Sequence, residues 1–222
     1  MNVTASMLAK FALLSGLDEH ALLELVPHVH ERTFEPDEVV AVAGEPCQNV
    51  CLVVRGVIRT SRLSLDGREY ILEYVRAGEP LGLAAALDGG TNVATAEALT
   101  LTTAYLIPCD HFRRVVREHS SVAAVALIYL SARVRDLSAT VEDLALHTVR
   151  ARLARFLLLR RENGPRPSRP WTQEEIAVHI GTVRDVVGRT LRSFAQQGLV
   201  RRERGRLVIA DRAGLEREAM FS

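Results

Sequence analysis

No run of about 18 consecutive apolar residues occurs in this 222-residue chain, and its opening, MNVTASMLAKFALLSG, lacks the charged start and continuous apolar stretch of a secretory signal. The expected setting is the cytoplasm, with no membrane partner. Cysteine is scarce: Cys47, Cys51 and Cys109 leave one over after any pairing and no C-x-x-C occurs, which suits a reducing compartment and argues against a disulfide framework. Cys47 and Cys51 fall in or beside NVCLVVRGVIR, which reads as a strand, and residues four apart on one strand lie about 13 Å apart. They do not share an ion unless Cys47 sits in a turn that folds back, so no zinc or iron–sulfur site is expected. A P-loop, a dinucleotide fingerprint and a nucleophile–base pair are missing too. Catalysis has no carrier, and the chain reads as a non-enzyme.

What is present is enough apolar sequence, 48%, to bury a real core, in a length that suits two domains better than one. The net charge of +1 conceals a strong asymmetry. Residues 1–147 hold 12 basic and 19 acidic groups, whereas residues 148–222 hold 16 and 8, and all 16 are arginine. An acidic half joined to an arginine-rich half is the footprint of a nucleic-acid-binding domain beside a different module, where a solvated charged face is the plainer alternative.

The first thirty residues, with SGLDEHALLELVPHV at helical spacing and Ser15 or Asp18 as a cap, predict short helices. From Arg32 onward β-rich runs such as VCLVVRGVIRTSRLSL, YILEYV and ALTLTTAYLIP alternate with Gly-rich turns, the pattern of a sandwich or roll. Asp66-Gly67 is a hairpin signal. After Pro108 the pattern is helical for some forty residues. Within it Ala123, Leu127, Leu130, Val134, Leu137, Val141 and Leu144 recur at alternating spacings of four and three, an a/d stripe flanked by charges, which predicts a helix paired with a second copy. His147-Thr148-Val149 interrupts the stripe, VRARLARFLLLRREN continues as another helix, and the linker GPRPSRP follows, with prolines that no helix interior accepts.

The strongest signal is WTQEEIAVHIGTVRDVVGRTLRSFAQQGLVRRERGRLVIAD. Thr172 and Glu175 form a T-x-x-E capping box that starts a helix at Gln173, burying Ile176, Ala177 and Ile180. Gly181 permits a tight turn into a second helix beginning near Val183. That helix buries Val186, Val187, Leu191 and Phe194 and leaves Arg184, Asp185, Gly188, Arg189 and Arg192 outward, with Gly188 keeping that face open. This is a helix-turn-helix whose second helix enters the major groove, where arginine pairs with guanine and a carboxylate accepts from cytosine N4. Thr182 in the turn joins the candidate contacts. GLVRRERGRLVIAD forms a wing about Gly205, setting Arg201, Arg202, Arg204 and Arg206 near phosphates. A winged helix that binds protein instead is the alternative.

At this point the chain resembles, over its whole length, the CRP/FNR (cyclic-AMP receptor, fumarate–nitrate regulator) family of bacterial regulators. The resemblance implies an α+β architecture: a sensory β-roll or jelly roll of the cyclic-nucleotide-binding type over residues 1–120, a dimerisation helix over 121–147, and a winged helix-turn-helix over 148–222. It implies double-stranded DNA, a second copy of the chain and RNA polymerase as partners. Against the family's G-x-S-R-E-x-x-[GS]-R pattern, Arg184, Asp185, Gly188 and Arg189 match in place, which implies base contacts by Arg184, Asp185 and Arg189. Asp185 stands where most members carry glutamate and Val183 replaces a serine, so a half-site different from the TGTGA-type core is expected.

The sensor half departs further. Members that bind cyclic AMP use Gly-Glu and Arg-Ser pairs, with Thr and Ser from the dimer helix. Here Gly82 keeps the glycine, Leu83 takes the glutamate place, Val93 and Ala94 the arginine and serine, Leu137 the threonine, and Ser138 alone of the helix pair matches. A buried phosphate without a cation is strongly disfavoured, so cyclic AMP is not the expected effector, unless Arg59, Arg62, Arg68 or Arg76 reaches in. The remaining readings are a hydrophobic ligand, haem held by one of the seven histidines, or a constitutively active regulator with no effector. His28-Val29-His30 with Glu35 has the H-x-H…E spacing of cupin metal sites, but Leu22 occupies the glycine position and no second histidine motif follows, so these read as surface histidines. No metal and no certain cofactor is expected.

Overall fold

The computed structural model describes residues 3–65, 67, 69–159, 171–203 and 206–220. Alternation of burial builds the N-terminal sheets. In β4 (Val57–Leu63) the buried residues are Ile58 and Thr60, and in β7 (Thr95–Ala98) they are Ala96 and Ala98. The strands run antiparallel with Thr60 opposite Ala96 and Ile58 opposite Ala98, so the side-chain period of two sets all four on one face. With β2 (Val39–Ala41) and β5 (Glu69–Arg76) they make a sheet of order β2-β7-β4-β5.

The second sheet contains β1 (His30–Phe34), β3 (Asn49–Arg55), β6 (Pro80–Leu81) and β8 (Thr102–Pro108) in the order β1-β8-β3-β6. Its central strands β3 and β8 are nearly continuous apolar runs because both of their faces are covered. One face contributes Phe34, Cys51, Val53 and Ala104 to the interior between the sheets, where they meet Ile58, Val75, Ala96 and Ala98. The opposite face presents Val50, Leu52, Tyr105 and Ile107 to the short helices α1 (Ala5–Leu8), α2 (Glu19–Leu25), α3 (Leu83–Asp88) and α4 (Cys109–Glu118). Asp18 rather than Ser15 caps α2, its carboxylate accepting from the Ala21 N–H at 2.8 Å. The expected roll is therefore present, together with a helical layer on one of its faces.

α5 (Ser120–Leu146) runs for 27 residues. On its N-terminal half Val122 and Ala126 are buried against the roll, Tyr129 Oη donates to the Pro80 carbonyl at 3.2 Å, and Arg133 pairs with Glu73 at 3.0 Å. The a/d stripe lies elsewhere on the helix: Leu127, Val134, Leu137, Val141 and Leu144 are exposed, Val134 by 62% and Val141 by 64%. Packing on its own domain takes Leu130 from the stripe but leaves these five members outward. The described chain divides into two compact units, Met1–Arg62 with Leu72–Arg135 and Leu63–Ile71 with Asp136–Ser222, and the division falls inside α5.

The second unit carries α6 (Val149–Leu159), α7 (Gln173–Ile180), α8 (Arg184–Gln196), the hairpin of β9 (Val200–Glu203) and β10 (Arg206–Ile209), and α9 (Arg212–Met220). Leu153, Leu157, Ile176, Val187, Phe194 and Leu215 form its core. α9 was not anticipated from the sequence. Asp66, Arg68, the end of the second helical run with the linker GPRPSRP, and Arg204 with Gly205 lie outside the described residues. At the hairpin signal Gly67 adopts φ 81° and its N–H donates to the Ser64 carbonyl at 3.0 Å.

Candidate nucleic-acid interface and sensor pocket

The capping box at α7 is complete. Thr172 Oγ1 accepts from the Glu175 N–H at 3.1 Å, and the Glu175 carboxylate accepts from the Thr172 N–H at 2.8 Å. α7 stops at Gly181, whose φ of +68° lies in the left-handed region. A Cβ there would also stand 2.7 Å from Leu144 Cδ2 and 3.2 Å from the Tyr70 ring, so conformation and space both demand glycine. Thr182 follows, half-buried, its N–H bonded to the Ala177 carbonyl.

α8 begins at Arg184 after an extended Val183. Val187, Leu191 and Phe194 are buried, while Val186 is only half-buried. Arg184, Asp185, Arg189 and Arg192 are exposed, and their spacing of i, i+1, i+5 and i+8 aligns them in one stripe. Gly188 differs in detail from the expectation of an open outer face. It is half-buried, and a Cβ would meet Gln173 Oε1 at 3.1 Å, so its small size serves the close approach of α7 and α8. On the wing Arg202 lies opposite Leu207 and Arg206 opposite Glu203. Both arginines are exposed, whereas Arg201 is paired with Glu203 at 2.7 Å.

Part of the arginine excess has an internal use that sequence reading missed. Arg150 reaches from α6 to Glu218 on α9 and to Ser193 Oγ at 2.9 Å, with its guanidinium 4.7 Å from the Phe194 ring centroid. That hydrogen bond holds the Glu218 carboxyl below its ordinary pKa. Arg155 pairs with Asp143 and donates to the Ala219 carbonyl at 2.9 Å, and Arg152 donates to the Leu144 carbonyl at 3.2 Å. The spacing of these three along α6, with Glu218 six residues past Arg212, is the faint signal that was available.

In the first unit Gly82 adopts φ +84° at the start of α3. Leu83 is 3% exposed and packs in the core on the helix side of the roll, with Val50 and Leu52, rather than between the sheets. Ala94 is buried and Val93 exposed, and Arg62 Nη1 donates to the Val93 carbonyl at 3.2 Å. Arg59 pairs with Glu97 at 3.3 Å, and the Arg76 guanidinium stands 5.8 Å from the Tyr74 ring. Leu137 and Ser138, both exposed, belong to the second unit. The Thr60 hydroxyl, on a residue 3% exposed, has no hydrogen-bond partner among the described residues.

His28 stacks on His111 with ring centroids 3.8 Å apart, and burial, His28 and Arg114 lower the His111 pKa. His30 is exposed on β1, and among the described residues no three His, Cys, Asp or Glu side chains gather closely enough for a metal ion. No described helix is long and apolar enough to cross a membrane.

Comparison with known proteins follows the same division. Residues 31–119 match the cyclic nucleotide-binding domain family and residues 151–218 the Crp-like helix-turn-helix domain family. The chain is 27% identical over 220 residues to a CRP-like cAMP-activated global transcriptional regulator of Mycobacterium tuberculosis, covering 96% of this chain and 98% of the relative. It is 26% identical over 194 residues to the global nitrogen regulator of Synechococcus elongatus, covering 83% and 87%. A crystal structure assigned to the Crp/Fnr family, from Eubacterium rectale, superposes with a TM-score of 0.77 at 24% identity, covering 95% and 98%. A cyclic-nucleotide-binding-type roll, a long helix and a Crp-like helix-turn-helix, in that order and along nearly the whole chain, place this protein in the CRP/FNR family of DNA-binding transcription regulators.

Proposed function

We propose that this chain is a homodimeric, sequence-specific regulator in which α8 reads base edges, the wing holds phosphates, and the roll responds to an apolar effector rather than to a cyclic nucleotide. The observation that carries the DNA reading is the exposed stripe Arg184, Asp185, Arg189 and Arg192 on a helix fixed by a buried opposite face. Its place of work is the cytoplasm, with RNA polymerase as a further partner. Selection from a random duplex pool is the direct test. Enrichment of an inverted repeat with half-sites one helical turn apart is expected, and retention of no sequence even at low salt would replace this reading by a protein-binding winged helix.

The effector reading rests on what surrounds the glycine. Leu83 is turned into the helix-side core and Val93 and Ala94 bring neither cation nor hydroxyl, so a buried phosphodiester would lack a counter-charge. Between the sheets the clustered side chains are apolar, the buried Thr102 hydroxyl is satisfied by the Thr100 carbonyl at 2.8 Å, and the Thr60 hydroxyl has no partner among the described residues; an unmatched buried hydroxyl costs roughly 1–3 kcal/mol. An apolar ligand with a single polar group suits that lining. None of the seven histidines is among the buried residues between the sheets, which favours such a ligand over haem bound through imidazole. Two relatives of nearly equal identity carry different names, a cAMP-activated global transcriptional regulator and a global nitrogen regulator, so similarity alone does not select the effector. Titration calorimetry with cyclic AMP and cyclic GMP is expected to give no saturable isotherm below about 50 µM, a strength equivalent to about 6 kcal/mol. A saturable isotherm that disappears in Arg62→Ala would overturn the reading and identify Arg62 as the substitute cation.

A further inference from the structure

We propose that Cys47 and Cys109 form a reversible redox modification site, closed by a disulfide when a peroxide reaches Cys47. The two sulfurs stand 3.3 Å apart, although 62 residues separate them in sequence. Their proximity is a product of the sheet: β3 and β8 pair antiparallel with Asn49 opposite Pro108, and the Cys109 N–H continues the ladder by donating to the Gln48 carbonyl at 2.9 Å. Cys47 lies just before β3, between the bridge residue Pro46 and Asn49, and Cys109 opens α4. The backbone is therefore held on both sides of the pair, and closing the sulfurs from 3.3 Å to a bonded distance of about 2.05 Å is a side-chain movement.

Access assigns the order of events. Of the three free cysteines, Cys47 is half-buried while Cys51 and Cys109 are 6% and 4% exposed. Burial also pushes the Cys51 and Cys109 thiols up to about 12, which leaves them poor nucleophiles toward an external oxidant. Peroxide meets Cys47 first: its sulfur attacks one peroxide oxygen, the O–O bond breaks, and the thiol proton leaves with the departing oxygen as water, giving a sulfenic acid. The Cys109 sulfur, held 3.3 Å away and so at a high effective concentration that offsets its raised pKa, then attacks the Cys47 sulfur, the S–O bond breaks, and the Cys109 proton leaves with the hydroxyl as a second water. In total two thiols and one hydrogen peroxide give one disulfide and two waters.

Oxidation changes the neighbourhood as well. The Cys47 thiol lies 3.5 Å from the Asn49 carbonyl and 3.7 Å from the Gly82 carbonyl, and it loses its donor hydrogen on oxidation. Gly82 starts α3, so the modification acts on the backbone beside the glycine that the sensor half keeps. This inference stands independently of the DNA-binding and effector readings.

The test is a peptide map of the full reduced chain after hydrogen peroxide, followed by N-ethylmaleimide, denaturation and a second, distinguishable alkylating reagent. One linked peptide joining Cys47 to Cys109 is expected, reversed by dithiothreitol, with Cys51 carrying only the second reagent. Irreversible sulfinic or sulfonic acid at Cys47 with Cys109 still alkylatable, or a link to Cys51, overturns the proposal. In Cys109→Ala the link is lost and a dimedone-reactive sulfenic acid accumulates at Cys47; equal dimedone labelling in the unmodified protein and the variant refutes the resolving role. Cys47→Ser, at the half-buried position, keeps the test open if the core variant does not fold. Its Cys109 stays reduced under the same peroxide dose, and oxidation of Cys109 there at the original rate overturns the assigned order.

Discussion

Val134→Asp is expected to convert the protein from a dimer to a monomer and to lower its affinity for an inverted-repeat site by at least about a hundredfold. Val134 is 62% exposed on the single chain, so the substitution removes little packing within one copy. In a paired α5 the same position lies at the seam, and a carboxylate there would be buried without a counter-ion opposite its own copy, which is strongly disfavoured. Leu127, Val134, Val141 and Leu144 continue the stripe over some five turns, and that much apolar surface on one narrow face marks an interaction surface. DNA affinity follows because two joined recognition helices bind two half-sites with an effective-concentration gain of roughly 10² to 10⁴, which a monomer forfeits. Sedimentation velocity and fluorescence anisotropy on a selected site measure the two effects, and an unchanged far-ultraviolet circular dichroism spectrum confirms that the fold survives. A monomeric unmodified protein at micromolar concentration would show that α5 does not pair.

Local signals were legible in the sequence, and long-range ones were not. The capping box at Thr172 and Glu175, the turn at Gly181 and the a/d stripe each depend on residues within a few positions of one another, so periodicity and turn chemistry expose them. α9 escaped notice because only Gly214, Leu215 and Ala219 of its nine residues are buried, too sparse for an amphipathic pattern. Its place is set by contact with α6 and by the Arg150–Glu218 pair, which joins residues 68 apart. The same blindness made the arginine count overstate the DNA-facing charge, since Arg150, Arg152 and Arg155 are engaged within the second unit. α3 hid between two glycines that both adopt positive φ, and a run of six residues is too short to declare a period. Within one strand Cys47 and Cys51 are the only candidates for a pair, whereas the relevant partner of Cys47 is Cys109, just past the end of β8 at the start of α4. Antiparallel register brings such residues together, and nothing local in the sequence announces it.

Arg189→Ala is expected to lose about 1–3 kcal/mol of specific binding, a factor of roughly 5 to 150, and to relax preference at one base pair of each half-site. Arg189 is exposed on α8 one turn and a half beyond the helix start, in line with Arg184 and Asp185, and it makes no part of the buried face formed by Val187, Leu191 and Phe194. Its guanidinium is of the right type for a two-point contact with guanine O6 and N7, and a truncated side chain leaves both acceptors unmatched. Arg202 supplies the contrast. It is exposed on β9 of the wing, where the proposed function sets it against phosphate, so Arg202→Ala should weaken every sequence alike and reduce the slope of log affinity against log salt by about one. The two variants therefore separate along different axes, base preference for Arg189 and salt dependence for Arg202, when anisotropy titrations are run on the selected site and its single-base variants at several salt concentrations. Unchanged affinity and unchanged base preference in Arg189→Ala would remove α8 from the major groove. A salt slope altered equally by both substitutions would instead make Arg189 a backbone contact, leaving the reading of bases to Arg184 and Asp185 at the start of the helix.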